Sequence, residues 1–384
     1  MTKFARCWPS AVCFTLLSSL AAINPARAVP GVTATTVVVG QSAALTGTSM
    51  HIGTEMRDGA LAYFDYVNSK GGIAGRKIVL KTLDDGFIAA RAEKNTQELL
   101  KGEGTFALFG YAGTPAALAG LQVAEKEDVP FFAPFSGAVS MHGPLKRNLF
   151  NVRAGYVLEM EKIVDNLQAI GAKNIAVLYP NDEYGKAGLA AAEAVLKKHR
   201  LTVMGSATIE RSSADVTAAV TKLRAMRPQA VLIISAYNSS AAFIRAMRKD
   251  ADWLPYFCNI SSVGGFALAS ALGVESRDVI ISQVLPSPLD TKKAVVKEYT
   301  RLYLSKPGRT PGFVSLEGFI AAKAFAEGLE RAGANLTRAS FIKAVESMRS
   351  VDLGGYVLKF SPTDHEASDF IDLTVIRKDG TFAN

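Results

Sequence analysis

Short runs of β-branched and apolar residues alternate with segments of helical spacing along nearly the whole chain. Thr36-Val-Val-Val-Gly40, Lys77-Ile-Val-Leu-Lys81 and Thr105-Phe-Ala-Leu-Phe109 read as strands, and residues 55–68 and 89–101 between them carry apolar positions near a period of 3.6. The pattern restarts after Asn151, with strands at 174–179, 201–207 and 230–235 and helices at 184–199, 213–226 and 239–249. A continuously apolar strand has both faces covered, and a helix between two strands makes them parallel. Two doubly wound α/β lobes are therefore expected.

The order of the later elements suggests how the lobes connect. Asp278-Val-Ile-Ile-Ser-Gln-Val284 is another buried strand, followed by Pro286 and Pro288; two helices come next, at 291–304 and 316–332, and strands at 356–360 and 370–377 close the chain. Turn and breaker residues mark three crossings between lobes, at 151–153, 283–288 and 350–355. This assigns 29–151 plus 286–350 to lobe one and 152–285 plus 351–384 to lobe two. Three connections let two lobes rock on a hinge, with a ligand cleft between the carboxyl ends of the two sheets.

Residues 1–28 are set apart as a cleaved secretory signal peptide. Lys3 and Arg6 form a basic start, residues 11–23 an apolar stretch, and Ala26-Arg27-Ala28 a small-x-small cleavage site. The mature chain is expected in the periplasm, with its formal charge lowered from +8 to about +5 by loss of Lys3, Arg6 and Arg27. That mild excess comes with no run of five basic residues and no nucleic-acid-binding motif, so nucleic acid is not an expected partner. Of the three cysteines, Cys7 and Cys13 leave with the leader, and Cys258 in Pro255-Tyr-Phe-Cys-Asn259 is expected to be a buried, inert thiol. No nucleophile elbow, zinc motif or dinucleotide-binding turn follows a strand, so no enzyme, no cofactor and no metal is expected. Asp84-Asp85 reads as a pair that binds N–H groups of the following helix.

The stretch Gly110-Tyr-Ala-Gly-Thr-Pro-Ala-Ala-Leu118 leaves one of these strands and opens a helix. The first N–H groups of a helix have no intrahelical partner and favour an anion. Gly110 and Gly113 permit close approach of a ligand, Thr114 is an expected N-cap, and Pro115 suits the first helical position. A P-loop's Lys-Ser/Thr pair is missing, so a carboxylate fits better than a phosphate; the competing role for Thr114 is to cap its own helix. A second strand, Pro130-Phe-Phe-Ala-Pro134, ends in Phe135-Ser136-Gly137-Ala138. Neighbouring parallel strand ends converge, so Thr114 and Ser136 are candidates to hold one carboxylate.

These turns, together with Val37-Val-Val-Gly-Gln-Ser-Ala-Ala-Leu-Thr-Gly47, Arg57-Asp-Gly-Ala60, Val67-Asn-Ser-Lys-Gly-Gly-Ile-Ala-Gly75, Leu83-Asp-Asp-Gly86, Asn181-Asp-Glu-Tyr-Gly185 and Ser315-Leu-Glu-Gly318, make the mature chain resemble the leucine/isoleucine/valine-binding protein family. These are the periplasmic solute receptors of branched-chain amino-acid ABC importers. The resemblance implies a type I periplasmic binding protein fold, a monomer that docks on an inner-membrane permease, and capture of a small carboxylate such as an amino acid. It implies that Thr114 takes the ligand's α-carboxylate, that Ser136 and Gly137 form the second carboxylate-binding turn, and that Tyr184 and Tyr237 close over the ligand from the far lobe. Where the family's amino-acid binders place an acid for the α-ammonium, this chain reads Asn259-Ile-Ser-Ser-Val-Gly264. Either Glu317 or Asp182 replaces that acid, or the ligand is an aromatic or aliphatic acid, or a neutral amide, without an ammonium. A ligand sensor for a signalling partner is the alternative to transport. His51, after the first strand, is a candidate cleft residue or exposed loop polarity. Glu317 is a candidate cleft or hinge contact, or a first-turn acid complementing its helix dipole.

Overall fold

The computed structural model describes residues 1–2, 29–102, 104–249 and 252–383. The expected leader, with Cys7 and Cys13, lies outside the described residues apart from its first two. Among the described residues no helix is long and apolar enough to cross a membrane.

Lobe one begins with β1 (Thr36–Ala43), α1 (Met50–Ser69), β2 (Lys77–Asp84), α2 (Ala89–Leu99), β3 (Ala107–Phe109), α3 (Thr114–Lys126), β4 (Phe131–Phe132), α4 (Val139–His142) and β5 (Leu149–Phe150). The chain then crosses to α5 (Tyr156–Ala169), β6 (Ile175–Pro180), α6 (Glu183–Lys198), β7 (Val203–Ile209), α7 (Thr217–Met226), β8 (Ala230–Ile233), α8 (Tyr237–Arg248), β9 (Tyr256–Asn259), α9 (Gly265–Leu272) and β10 (Val279–Gln283). It returns for α10 (Ala294–Tyr303), α11 (Phe313–Ala332) and α12 (Arg338–Glu346), and ends with β11 (Val351–Asp352), β12 (Val357–Leu358), β13 (Asp372–Ile376) and β14 (Phe382–Ala383).

The first sheet has the order β2-β1-β3-β4-β5 and is parallel throughout. The second has the order β14-β13-β10-β9-β8-β6-β7. Strand order reverses beside β1 and β3 in one sheet and beside β6 and β8 in the other. Such switch points leave a crevice at the strands' carboxyl ends, and the two crevices face each other. The fold class is the expected one: two doubly wound α/β lobes.

Two details differ from the sequence reading. β13 pairs antiparallel with β10, and β14 antiparallel with β13, because the chain re-enters this sheet from lobe one and not over a crossover helix packed on the sheet itself. Residues expected to form a strand of lobe two at 356–360 instead make the hairpin β11–β12 and continue the first core. Leu353, Tyr356, Leu358, Phe360 and Ala367 pack there with Phe150 and Phe132, and pairing with the second sheet resumes only at Asp372. The third crossing thus runs later than 350–355; Tyr356 Oη lies 3.0 and 3.2 Å from Val152 O and Val284 O, its one O–H shared between them, which ties it to the other two crossings.

α1 and α11 lie in close contact through Gly59 and Gly318. A Cβ on Gly59 would stand 1.9 Å from Ser315 O, and one on Gly318 would stand 2.1 Å from Met56 O. These glycines set the depth at which Glu317 enters the space between lobes.

Candidate functional site

A cavity of about 30 Å³ lies where the two sets of strand ends meet. Ile52, Phe87, Gly113 and Phe135 line it from lobe one, and Tyr156, Pro180, Tyr184, Arg211, Ser212, Ser235, Ala236 and Ser262 from the other side. Most of this wall is apolar, and among the described residues no carboxylate lines it. A water needs at least ~10–15 Å³, so the space is too small for a solute of amino-acid size.

Cross-lobe contacts hold the arrangement together. Arg211 lies over the Phe87 ring, 4.9 Å from its centroid; Ser49 Oγ and Ser212 Oγ are 2.9 Å apart; the His51 and Tyr237 rings meet edge to face at 4.5 Å. His51 sits in the first turn of α1 and not on a loop, and neither ring nitrogen has a partner. Burial pulls its pKa down to about 4, so the ring is neutral. Phe87 adopts a left-handed backbone with φ 66°, and its N–H donates to Asp85 Oδ1 at 2.8 Å. The Asp84-Asp85 pair therefore binds loop amides, those of Leu45, Thr46, Gly86 and Phe87, and α2 begins without a side-chain cap. Among the described residues no group of three or more metal-ligating side chains is gathered.

The two hydroxyl turns meet behind the wall of the cavity. Gly113, at φ 94°, takes the N-cap position of α3, so Thr114 is the first helical residue and makes no side-chain cap, contrary to the N-cap expectation. Its hydroxyl is turned instead toward Ser136 Oγ at 2.8 Å and Tyr156 Oη at 3.4 Å. Ser136 Oγ also accepts from Ala138 N at 3.3 Å. Gly137 is needed because a Cβ there would lie 2.4 Å from the Tyr156 ring. Thr114 and Ser136 have no exposed surface; Gly113 and Tyr156 stand between them and the cavity. Tyr184 lines the opposite wall, with its hydroxyl 2.8 Å from Ser262 Oγ and its ring against Tyr156.

Behind the cavity lies a buried charge cluster on the hinge. Arg153, on the first crossing, reaches Glu159 Oε1 of α5 and Glu317 Oε1 of α11, both at 3.4 Å; it also bonds Ser261 Oγ and faces the Phe135 ring at 4.6 Å. Glu159 accepts from Ser261 N at 2.7 Å, Ser261 Oγ at 3.0 Å and Ser282 Oγ at 2.6 Å. Burial works against Arg153's charge, but Glu317 and Glu159 outweigh it and hold its pKa above the usual value. Burial pushes Glu317 up to about 7 against the pull of Arg153. Glu317 is the fifth residue of α11, past the first turn, and its contact is with the hinge. Asp182 caps α6 by accepting from Gly185 N at 2.9 Å and pairs with Arg211 at 2.6 Å.

Sequence reasoning missed Phe87, Phe135, Tyr156, Arg211 and Ser262. Each lies shortly after a strand's carboxyl end or, for Tyr156, just after the first crossing, so the strand-end rule that selected Thr114 and Ser136 could have found most of them.

The family model described as periplasmic binding protein matches residues 36–381. A possible leucine/isoleucine/valine-binding protein from Rhodopirellula baltica SH 1 superposes with a TM-score of 0.86 at 29% identity, covering 94% of this chain and 98% of that one. A substrate-binding periplasmic protein from Ralstonia solanacearum does so with a TM-score of 0.84 at 30% identity, over 90% and 99%. Leu/Ile/Val-binding protein homolog 3 of Brucella melitensis is 21% identical over 88% of this chain and 90% of its own. The chain belongs to the periplasmic binding protein family, to its leucine/isoleucine/valine-binding branch, a family of substrate binders and not of enzymes.

Proposed function

We propose that this protein is the periplasmic solute receptor of an ABC importer and that its solute is a small carboxylic acid without an ammonium group. The observation that carries the reading is the meeting of Thr114, Ser136 and Tyr156 hydroxyls directly behind Gly113 and the Tyr156 ring, which line an interlobe cavity. A carboxylate entering there replaces the long Thr114–Tyr156 contact with shorter, charge-assisted bonds, next to the unpaired N–H groups that begin α3. The apolar body of the solute rests against Ile52, Phe87, Phe135, Pro180 and Tyr184. Touching both lobes, it favours closure by its differential affinity for the closed form.

The acids around the cavity are already committed. Glu317 is paired with Arg153, Glu159 accepts three hydrogen bonds, and Asp182 serves α6 and Arg211. An ammonium buried here would lack a counter-charge, at a cost of several kcal/mol. This favours an aromatic or branched aliphatic acid over an amino acid. Thermal unfolding with phenylacetate, 3-methylbutanoate, L-leucine and phenylacetamide tests it, since a solute specific for the native state raises the melting temperature. The two acids are expected to raise it and the other two to leave it unchanged. A shift with L-leucine alone overturns the ligand class, and a shift with the amide alone overturns the carboxylate site. Uptake of the same acid by cells with and without the gene separates transport from sensing.

A further inference from the structure

We propose that His142 is a positioning residue for the ligand turn, acting as an imidazolium that ties the carbonyl of Ser136 to the carboxylate of Glu366 on the third crossing. The proposal rests on the reading above, in which the Ser136 turn holds the solute's carboxylate. His142 ends the single turn α4, and its side chain is 7% exposed. Nε2 lies 2.8 Å from Ser136 O, and Nδ1 faces Glu366 Oε2. A main-chain carbonyl and a carboxylate both accept, and a neutral imidazole has a single N–H to give. Only the cation satisfies both contacts.

The surrounding groups leave the ring no other arrangement. A Cβ on Gly155 would stand 3.2 Å from the ring, so the first crossing closes one side. Glu366 Oε1 accepts from Asn151 Nδ2 at 2.8 Å, and the same amide donates to Met141 O at 2.9 Å. Asn151 N donates to His365 O at 3.0 Å, and Ala367 N donates to Asn151 O at 2.9 Å, which joins the first and third crossings. The charged groups facing the ring are Glu366 on the third crossing and Glu317 on α11. Both are acids, and it is Glu366 that the ring touches. His142 therefore links the turn that receives the solute to two of the three segments that bend when the lobes move. It also adds a positive charge behind a carboxylate site.

The ring's protonation can be read without any solute. In the mature protein labelled with ¹⁵N in its imidazoles, with His142→Gln used for assignment, both His142 nitrogens are expected to be protonated near neutral pH; Glu366→Gln is expected to convert the ring to one neutral tautomer. Amide exchange at Gly137 and Ala138 should accelerate in Glu366→Gln. In calorimetry with phenylacetate, His142→Gln should bind about tenfold more weakly, the loss of one charge-assisted contact. A neutral single-tautomer ring at pH 6, or a variant with wild-type affinity, overturns the proposal. A merely structural role would lower the melting temperature and leave the affinity intact. If His142→Gln does not fold, Glu366→Gln decides the same question. Failure of phenylacetate to bind any form counts against the solute class, and the ring spectrum and amide exchange still judge His142.

Discussion

Replacing Glu317 by Gln should make the protein more stable above neutral pH, although it removes one arm of a buried ion pair. Burial raises this carboxyl from 4.5 to about 7 even with Arg153 3.4 Å away. The native state therefore holds the proton more tightly than the unfolded chain, which releases it near pH 4.5. Stability from this group is intact below about pH 4.5, declines through the interval and levels off above about 7. At about 1.4 kcal/mol per unit, the loss is about 3 kcal/mol. Glutamine matches the shape of the protonated acid and has no proton to lose, and Arg153 keeps Glu159 as its counter-ion. The variant should match wild type near pH 4.5 and exceed it by about 3 kcal/mol near pH 8. With the usual entropy of unfolding per residue, a chain this long shifts by ~1–2 °C per kcal/mol, so the melting temperatures should diverge by about 4 °C. Scanning calorimetry at half-unit pH steps gives the comparison. Parallel stability curves, or a variant that weakens on going to pH 8, would refute the argument that desolvation outweighs the ion pair here.

Three further outcomes test the site and its closure. Thr114→Ala should weaken solute binding by about 1–3 kcal/mol with little loss of fold, because it strips a charge-assisted bond; unchanged affinity in calorimetry removes Thr114 from the site. Ser49→Cys with Ser212→Cys, whose oxygens are 2.9 Å apart in the native pair, should oxidise to a cross-link that slows solute release until reductant is added. Cys258 does not compete, since it is buried and its thiol is pushed up to about 12; an unaltered release rate in the oxidised protein means that the solute leaves without lobe separation. Gly113→Ala should lower stability by about 1–3 kcal/mol in urea unfolding, because the residue sits at φ 94° and its Cβ would stand 2.5 Å from the Phe87 ring; wild-type stability would show that the Phe87 loop yields easily.

The lobes were legible because β-branched runs and 3.6-residue periodicity are local signals, and β1, β2, β6 and β8 appear close to where those signals put them. The third crossing was not, because Tyr356–Phe360 has the composition of a strand whichever core it joins. Its membership of the first core is decided by Phe132 and Phe150, both distant in sequence. Thr114 and Ser136 could be paired from strand-end logic, but the exchange of the cap position from Thr114 to Gly113 depends on a positive φ that neither residue announces. The carboxylate expected after β9 illustrates the same limit. Ser261 stands there, and an acid does reach the spot, as Glu159 from α5, roughly a hundred residues earlier in the chain.

That substitution of a distant acid for a local one bears on how the receptor chooses and releases its solute. Glu159 arrives already matched with Arg153, and Arg153 is shared with Glu317 of the other lobe, so the charge that could have read an ammonium is spent on joining the halves. The far wall repeats the arrangement: Arg211 is matched by Asp182 and laid over Phe87 across the gap. Closure thus draws on contacts that the protein makes with itself. If the lobes move as proposed, those contacts favour the closed form before any solute arrives, and a receptor held partly closed presents its open, loading form for only a fraction of the time, which weakens apparent affinity by that fraction. The solute must then return the difference through contacts made only at the inner end of the cleft. On the reading proposed above, the hydroxyls of Thr114, Ser136 and Tyr156 turn their O–H groups to a carboxylate and make charge-assisted bonds that a neutral group does not offer. On the proposed reading, charge pairs spent on the hinge and hydroxyls kept for the guest together make an acid the solute best able to hold this cleft shut.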